Sequence, residues 1–190
     1  MVTTPPYTAY LKIAEGCSNG CAFCIIPKLR GRYRSRTMDH LLEEAKSLAD
    51  SGVKELIVIA QDITRYGSDL GDGTTLAGLL KELCKLPFHW IRLHYLYPEA
   101  ITDELVEVIA SGKKIVHYLD IPIQHCNDGI LKAMRRRNTK VELEELFARL
   151  RKAIPDVVIR TSLICGLPGE GEAEFEELCE FLKEQTGKQL

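Results

Sequence analysis

The feature that most constrains the fold of this 190-residue chain is an alternation of five strand-like runs with apolar residues at helical spacing. Ala9 to Glu15, Leu56 to Ala60, Trp90 to Leu96, Ile115 to Ile123 and Val157 to Cys165 read as strands. Met38, Leu41, Leu42, Ala45, Leu48 and Ala49 predict a helix stopped by Gly52, and Leu76, Leu79, Leu80, Leu83 and Cys84 predict another. Thr102 reads as an N-cap with Asp103 and Glu104 in the first turn, and Gly112 ends that helix. A short helix around Asp128 to Arg136, a longer one around Val141 to Ala153, and a last one carrying Phe175, Leu178, Cys179 and Leu182 complete the pattern. Strands separated by helices need crossover connections, so a parallel sheet with helices packed on it is expected. The length predicts one domain, and 45% hydrophobic residues a globular one.

The strand faces predict curvature. A closed barrel of the triosephosphate isomerase type fills its inner face with bulky apolar side chains. Here Tyr10 and Lys12, Trp90, Arg92 and His94, Tyr118, Asp120 and Gln124, and Arg160 and Ser162 make one face polar, while Leu11, Ile13, Ile91, Leu93, Leu119, Ile121, Ile159 and Leu163 make the other apolar. A sheet curved around a polar lumen follows, with solvated edge residues as the bland alternative. An unpaired inner charge costs several kcal/mol, roughly, so Arg92 or Lys12 is expected to find Asp120 and Arg160 to face a ligand anion. Ligands of parallel sheets bind beyond the carboxyl ends of the strands. Gln61 and Asp62, Tyr95 to Pro98, Gln124 and His125, and Gly166 to Glu170 all fall there.

The cysteines add chemistry to that rim. Cys17, Cys21 and Cys24 follow the first strand in a C-x-x-x-C-x-x-C spacing, which lets one loop wrap three thiolates around one site. No fourth cysteine is near, the next being Cys84, so an iron-sulfur cluster held here keeps one iron open. A structural zinc site needs four ligands, and His40 lies too far along its helix to be the natural fourth. A disulfide staple fits poorly with seven cysteines and no preceding signal peptide. Cys84 and Cys179 sit on helical stripes and read as core thiols, as do Cys126 and Cys165 nearer the rim.

The cysteine loop resembles that of the radical S-adenosylmethionine (SAM) superfamily, which usually carries an aromatic before its last cysteine, as Phe23 does here. The resemblance implies a partial (β/α) barrel with parallel strands and outer helices, about five of six units being present. It also implies a 4Fe-4S cluster on Cys17, Cys21 and Cys24, with SAM on the open iron giving a 5′-deoxyadenosyl radical. Cys24-Ile25-Ile26-Pro27 with Arg30-Gly31-Arg32-Tyr33-Arg34-Ser35-Arg36, Asp120-Ile121-Pro122-Ile123-Gln124 and Gly166-Leu167-Pro168-Gly169-Glu170 are similar to the methylthiotransferase branch. Within it, Ala60-Gln61-Asp62, Tyr95-Leu96-Tyr97-Pro98, Gln124-His125 and Arg160-Thr161-Ser162 look like the RimO-type enzymes, which methylthiolate the β-carbon of an aspartate in a small-subunit ribosomal protein. Phe23, Gln61, Gln124, Arg160, Ser162 and Gly166 are then the expected SAM contacts. Leu167, Gly171 and Cys126 depart from the residues usual in the family. A tRNA adenosine methylthiotransferase, and a non-catalytic iron-sulfur or zinc module, stay open as alternatives.

Such enzymes usually carry an amino-terminal domain with a second cluster and a carboxy-terminal TRAM domain. With Met1 just before the first strand and Leu190 where a sixth unit is expected, residues 1–190 read as a truncated radical SAM core lacking both. The resemblance implies a reductant such as flavodoxin or ferredoxin. Net charge is −2, which argues against bulk attraction to nucleic acid. The loop Lys28 to Arg36 and the run Arg135-Arg136-Arg137 read as solvated surface, with ribosomal RNA or protein docking as the sharper alternative. No apolar run approaches the ~20 residues of a membrane span, so no membrane partner is expected and a soluble, cytoplasmic protein is. His125, beside Gln124, is weighed as a proton carrier and His89, His94 and His117 as packed or surface residues.

Overall fold

The computed structural model describes residues 4–187. The elements run β1 (Thr8–Lys12), β2 (Ala14–Glu15), α1 (Ile26–Arg30), β3 (Arg34–Ser35), α2 (Met38–Asp50), β4 (Glu55–Ile59), α3 (Leu76–Leu83), β5 (Trp90–Leu93), a 3-10 turn (Pro98–Ala100), α4 (Asp103–Ser111), β6 (Ile115–Asp120), α5 (Asp128–Ala133), α6 (Lys140–Ala153), β7 (Val158–Arg160) and α7 (Glu172–Gly187). Five strands form one parallel sheet in the order β1-β4-β5-β6-β7, as strands joined by helical crossovers must. Five strand-helix units are present among the described residues, as expected; of the stretch 186–190, where a sixth strand would begin, α7 takes the part up to Gly187 and 188–190 lie outside the described residues.

Register explains the sorting of the faces. Ala9, Leu56, Ile91 and Ile115 align as one row across the sheet, and Leu11, Val58, Leu93, Leu119 and Ile159 as the next. All but Ile159 are buried, under helices whose own stripes (Leu41 and Ala45, Leu79 and Leu83, Leu105 and Ile109, Leu143 and Leu150) meet them in one core. The other face carries Tyr10, Trp90, Arg92 and Val158, which are exposed or part-buried, together with buried Ile57 and Asp120. Thr75, Thr102, Asn127 and Thr139 each accept a backbone N–H at a helix start, and Thr139 with Glu142 forms a capping box.

Three expectations change. The first strand splits, because Ala14 and Glu15 leave the sheet to pair antiparallel with Ser35 and Arg34 and so close the base of the cysteine loop. The strand expected over Trp90 to Leu96 stops at Leu93, and the one over Ile115 to Ile123 at Asp120, with left-handed Tyr95 (φ 66°) and Gln124 (φ 71°) turning the chain just beyond. The inner charges also pair differently. Arg92 bonds Glu55 at 2.8 Å, Lys12 bonds Glu15, and Asp120 takes Arg160 at 2.7 Å. Arg160 lies directly across from Asp120 in the β6–β7 register, so the buried carboxylate meets that cation first. On α7 the buried face is Leu178 and Phe181, while Phe175 is exposed.

Candidate active site

The loop bearing Cys17, Cys21 and Cys24 is fastened at four points. Cys17 N–H donates to Gly31 O (3.2 Å), Tyr33 N–H to Ser18 Oγ (3.1 Å), Ala22 N–H to Met134 O (3.0 Å) and Asn19 Nδ2 to Asp62 Oδ2 (2.8 Å). Gly16 makes the first of these contacts geometrically feasible. Its φ is +77°, and a Cβ there would lie 2.2 Å from Arg32 O, so only glycine allows the two strands of the loop to pass. Asp62, fully buried at the end of β4, is the hub: it also accepts from Thr64 N–H (3.0 Å) and faces Arg65 Nε at 3.4 Å, while its carbonyl accepts from Tyr33 OH (2.8 Å).

The three cysteines open on a cleft of about 280 Å³. Phe23 comes from the same loop, Gln61 from the end of β4, Tyr95 and Tyr97 from the end of β5, Gln124 from beyond β6 and Ser162 from beyond β7. Thus four carboxyl ends of a parallel sheet supply one wall, where such sheets bind ligands. Gln61 belongs to the wall of this cleft, and its Oε1 is buried with no hydrogen-bond partner. A larger cleft, about 390 Å³ between Pro98–Ile101 and α6, contains none of the cysteines.

Of the residues singled out from sequence, Cys17, Cys21, Cys24, Phe23, Gln61, Gln124 and Ser162 meet in this cleft, whereas Arg160 and Gly166 are not part of its wall. Arg160 is spoken for by Asp120 rather than facing a free anion, and Gly166, at φ +80°, has open space around its Cα. His125 is fully buried away from the wall; its Nδ1 accepts from Asn127 N–H (3.0 Å) and its Nε2 lies 3.6 Å from Glu170 Oε1. Missed from sequence are Asn19, which carries the loop to Asp62, and Arg136, the middle member of an arginine triplet, which turns into the cleft. Arg136 had no signal of its own, since its neighbours Arg135 and Arg137 are exposed as a charge run should be.

The thiols themselves fit a metal group. All seven cysteines are free, so none of the three is committed to a disulfide. Burial pushes the Cys17 thiol above its usual range, with the Asp62 carboxylate adding to the effect and a backbone hydrogen bond from Asn19 opposing it. A coordinated metal reverses that bias by taking the sulfur as thiolate. Among the described residues no three His, Cys, Asp or Glu side chains converge on a single ion. A cluster asks for something else, one thiolate for each of several irons.

A model of the radical SAM superfamily matches residues 11–182. The chain belongs to that superfamily. Membership carries with it an iron-sulfur cluster and SAM. Its partial α/β barrel is shared with solved structures of low sequence identity. The radical SAM methyltransferase TsrM of Kitasatospora setae superposes with a TM-score of 0.78 at 17% identity, covering 95% of this chain and 34% of that one. SuiB of Streptococcus suis, solved with its precursor peptide SuiA, gives 0.67 at 16%, covering 95% and 37%. Similarity in sequence is far higher to proteins named ribosomal protein uS12 methylthiotransferase RimO. That of Caldanaerobacter subterraneus subsp. tengcongensis is 56% identical over 97% of this radical SAM chain, and that of Myxococcus xanthus 55% over 98%. The chain spans 42% and 39% of the length of those two relatives.

Proposed function

We propose that this chain is the radical SAM core of an enzyme that methylthiolates the β-carbon of an aspartate in ribosomal protein uS12. What carries the substrate assignment is the 56% identity, over almost the whole chain, to a protein named for that activity. In this reading residues 1–190 form the core domain of a longer enzyme, whose other parts hold the second cluster that handles the inserted sulfur and a TRAM domain. The reductant is an external carrier such as flavodoxin or ferredoxin, and the basic loop Lys28 to Arg36 is a candidate contact with ribosomal RNA.

Cys17, Cys21 and Cys24 would hold a 4Fe-4S cluster, which together with bound SAM would supply one-electron reductive cleavage of the sulfonium. The protein's part is to bind, orient and shield. Gln61 Oε1 accepts from a ligand hydroxyl or amine, which resolves its lack of a partner. Gln124 and Ser162 contribute amide and hydroxyl groups from the next two strand ends. Phe23, Ile26, Leu96 and Pro122 line the cleft with apolar surface that keeps water from the reacting carbon. Arg160 acts one step back, holding Asp120 in the lumen below, and Gly166 gives the left-handed turn that brings the Gly166–Glu170 loop to the rim.

The test is mass spectrometry of ribosomal proteins and bulk tRNA from cells that lack their own uS12 methylthiotransferase, with and without the complete gene. A methylthio gain on uS12 is expected. A gain confined to tRNA overturns the substrate, and no gain on either overturns the activity.

A further inference from the structure

Arg136 is a buried cation that the mechanism above does not use. Arg135 and Arg137 are exposed on either side of it. The cause is the end of α5, where Arg135 adopts φ 56° and the N–H groups of Arg135 and Arg136 donate to Lys132 O (3.0 Å) and Leu131 O (2.8 Å). That is the hydrogen-bond pattern of a Schellman turn, with an arginine standing where glycine is usual. The reversal sends Arg136 inward. Its Nη2 donates to Pro122 O at 2.8 Å, its guanidinium lies 3.9 Å from the Tyr97 ring centroid, and its Nη1 lies 4.0 Å from Cys21 Sγ. Tyr97 OH reaches the same sulfur at 3.2 Å.

Two facts make this arrangement more than packing. Arg136 is only 7% exposed, and no carboxylate lies within ion-pair distance of it among the described residues. Its Nε is buried with no hydrogen-bond partner. A buried cation without a counter-anion is costly, and the anionic group its geometry provides for is the sulfur of Cys21. As a thiolate that sulfur only accepts, so Tyr97 OH and Arg136 Nη1 both donate to it.

We propose that Arg136, held flat by Tyr97, is a positioning residue that orients Cys21 and makes the iron-sulfur group on it easier to reduce. This rests on the cluster assignment made above. Adding one electron adds one negative charge beside the guanidinium, and a fixed cation together with hydrogen bonds to sulfur favours the reduced state. The same Arg-Tyr pair links the cysteine loop, through Cys21 Sγ, to Tyr97 beyond β5 and to Pro122 O beyond β6.

The experiment is a redox titration, followed by electron paramagnetic resonance, of the complete enzyme with reconstituted cluster, without SAM. Arg136→Gln should retain its iron and shift the one-electron reduction equilibrium about tenfold against the reduced form, which is ~59 mV more negative. Arg136→Lys, keeping the charge, should recover part of that shift. A wild-type potential in a fully loaded Arg136→Gln overturns the inference while leaving the cluster assignment intact. Where Arg136→Gln does not load, Tyr97→Phe decides: it removes one donor to sulfur and should move the potential in the same direction, and an unchanged potential refutes the proposal. An iron content in the complete enzyme that does not fall in Cys21→Ala refutes the earlier assignment instead.

Discussion

Replacing Asp62 by alanine tests whether the cysteine loop depends on a carboxylate it does not contain. Asp62 is fully buried and accepts from Asn19 Nδ2 at 2.8 Å and Thr64 N–H at 3.0 Å, with Arg65 Nε at 3.4 Å. Hydrogen bonds to a charged acceptor contribute about 1.5 to 3 kcal/mol each. Asn19 and Arg65 are part-buried and recover some of this from water, and Arg65 keeps Glu99 at 3.1 Å. The Thr64 N–H, part-buried likewise, loses the same acceptor. A net loss of about 3 kcal/mol results, the low end for breaking a buried ionic network. For a chain of this size that is a fall in Tm of roughly 6 to 12 °C, read by circular dichroism on the metal-free protein. Asp62→Asn keeps the volume but points an amide at the Asn19 donor, and should fall between the two. The loop effect is read separately, as faster alkylation of Cys17 in Asp62→Ala well below its Tm. A Tm within about 2 °C of wild type, near 1 kcal/mol or less, refutes the hub assignment.

Cys17→Ala, Cys21→Ala and Cys24→Ala should each abolish the visible absorption band after anaerobic reconstitution, whereas Cys84→Ala and Cys179→Ala should keep it; iron and sulfide analysis checks both halves. Arg135→Gly relieves a left-handed arginine and should stabilise the protein by about 1 kcal/mol, measured by urea denaturation, with loss of stability counting against the turn described. Burial pushes the Tyr66 hydroxyl, which donates to Arg36 O at 3.0 Å, up to about 12. Its folded value lies above its unfolded one, so its contribution is complete below ~10 and disappears as pH rises toward 12; Tyr66→Phe should flatten that part of the stability profile. Burial likewise raises the Cys126 thiol to about 11. At pH 8 iodoacetamide should therefore modify exposed Cys165 and spare Cys126, which peptide mass mapping resolves.

Much of this fold is legible because its signals are local and repetitive. Leu41 and Ala45 on α2, Leu79 and Leu83 on α3, and Leu143 and Leu150 on α6 reveal their buried stripes by spacing alone, and Thr102 caps α4 as its side chain chemistry requires. The metal loop is legible for the same reason, since its three cysteines lie within eight residues. What the sequence hides is pairing between distant side chains. Lys12, Arg92 and Arg160 are equally good partners for Asp120 on a face pattern, and only register decides that Arg160 stands opposite.

The arginine triplet shows why such decisions escape composition. Arg135, Arg136 and Arg137 are chemically identical and adjacent, yet one supplies a backbone turn, one enters the cleft at Cys21, and one stays in solvent 3.9 Å from Glu99. Charge count treats them as a patch. Their division depends on Arg135 taking a left-handed φ that glycine would take at lower cost, and the strain is set against the inward placement of Arg136. A glycine there makes the turn equally well and leaves Arg136 where it is. Arg135 is therefore not needed for the geometry, and its own side chain stays exposed while that of Arg136 turns in to Cys21.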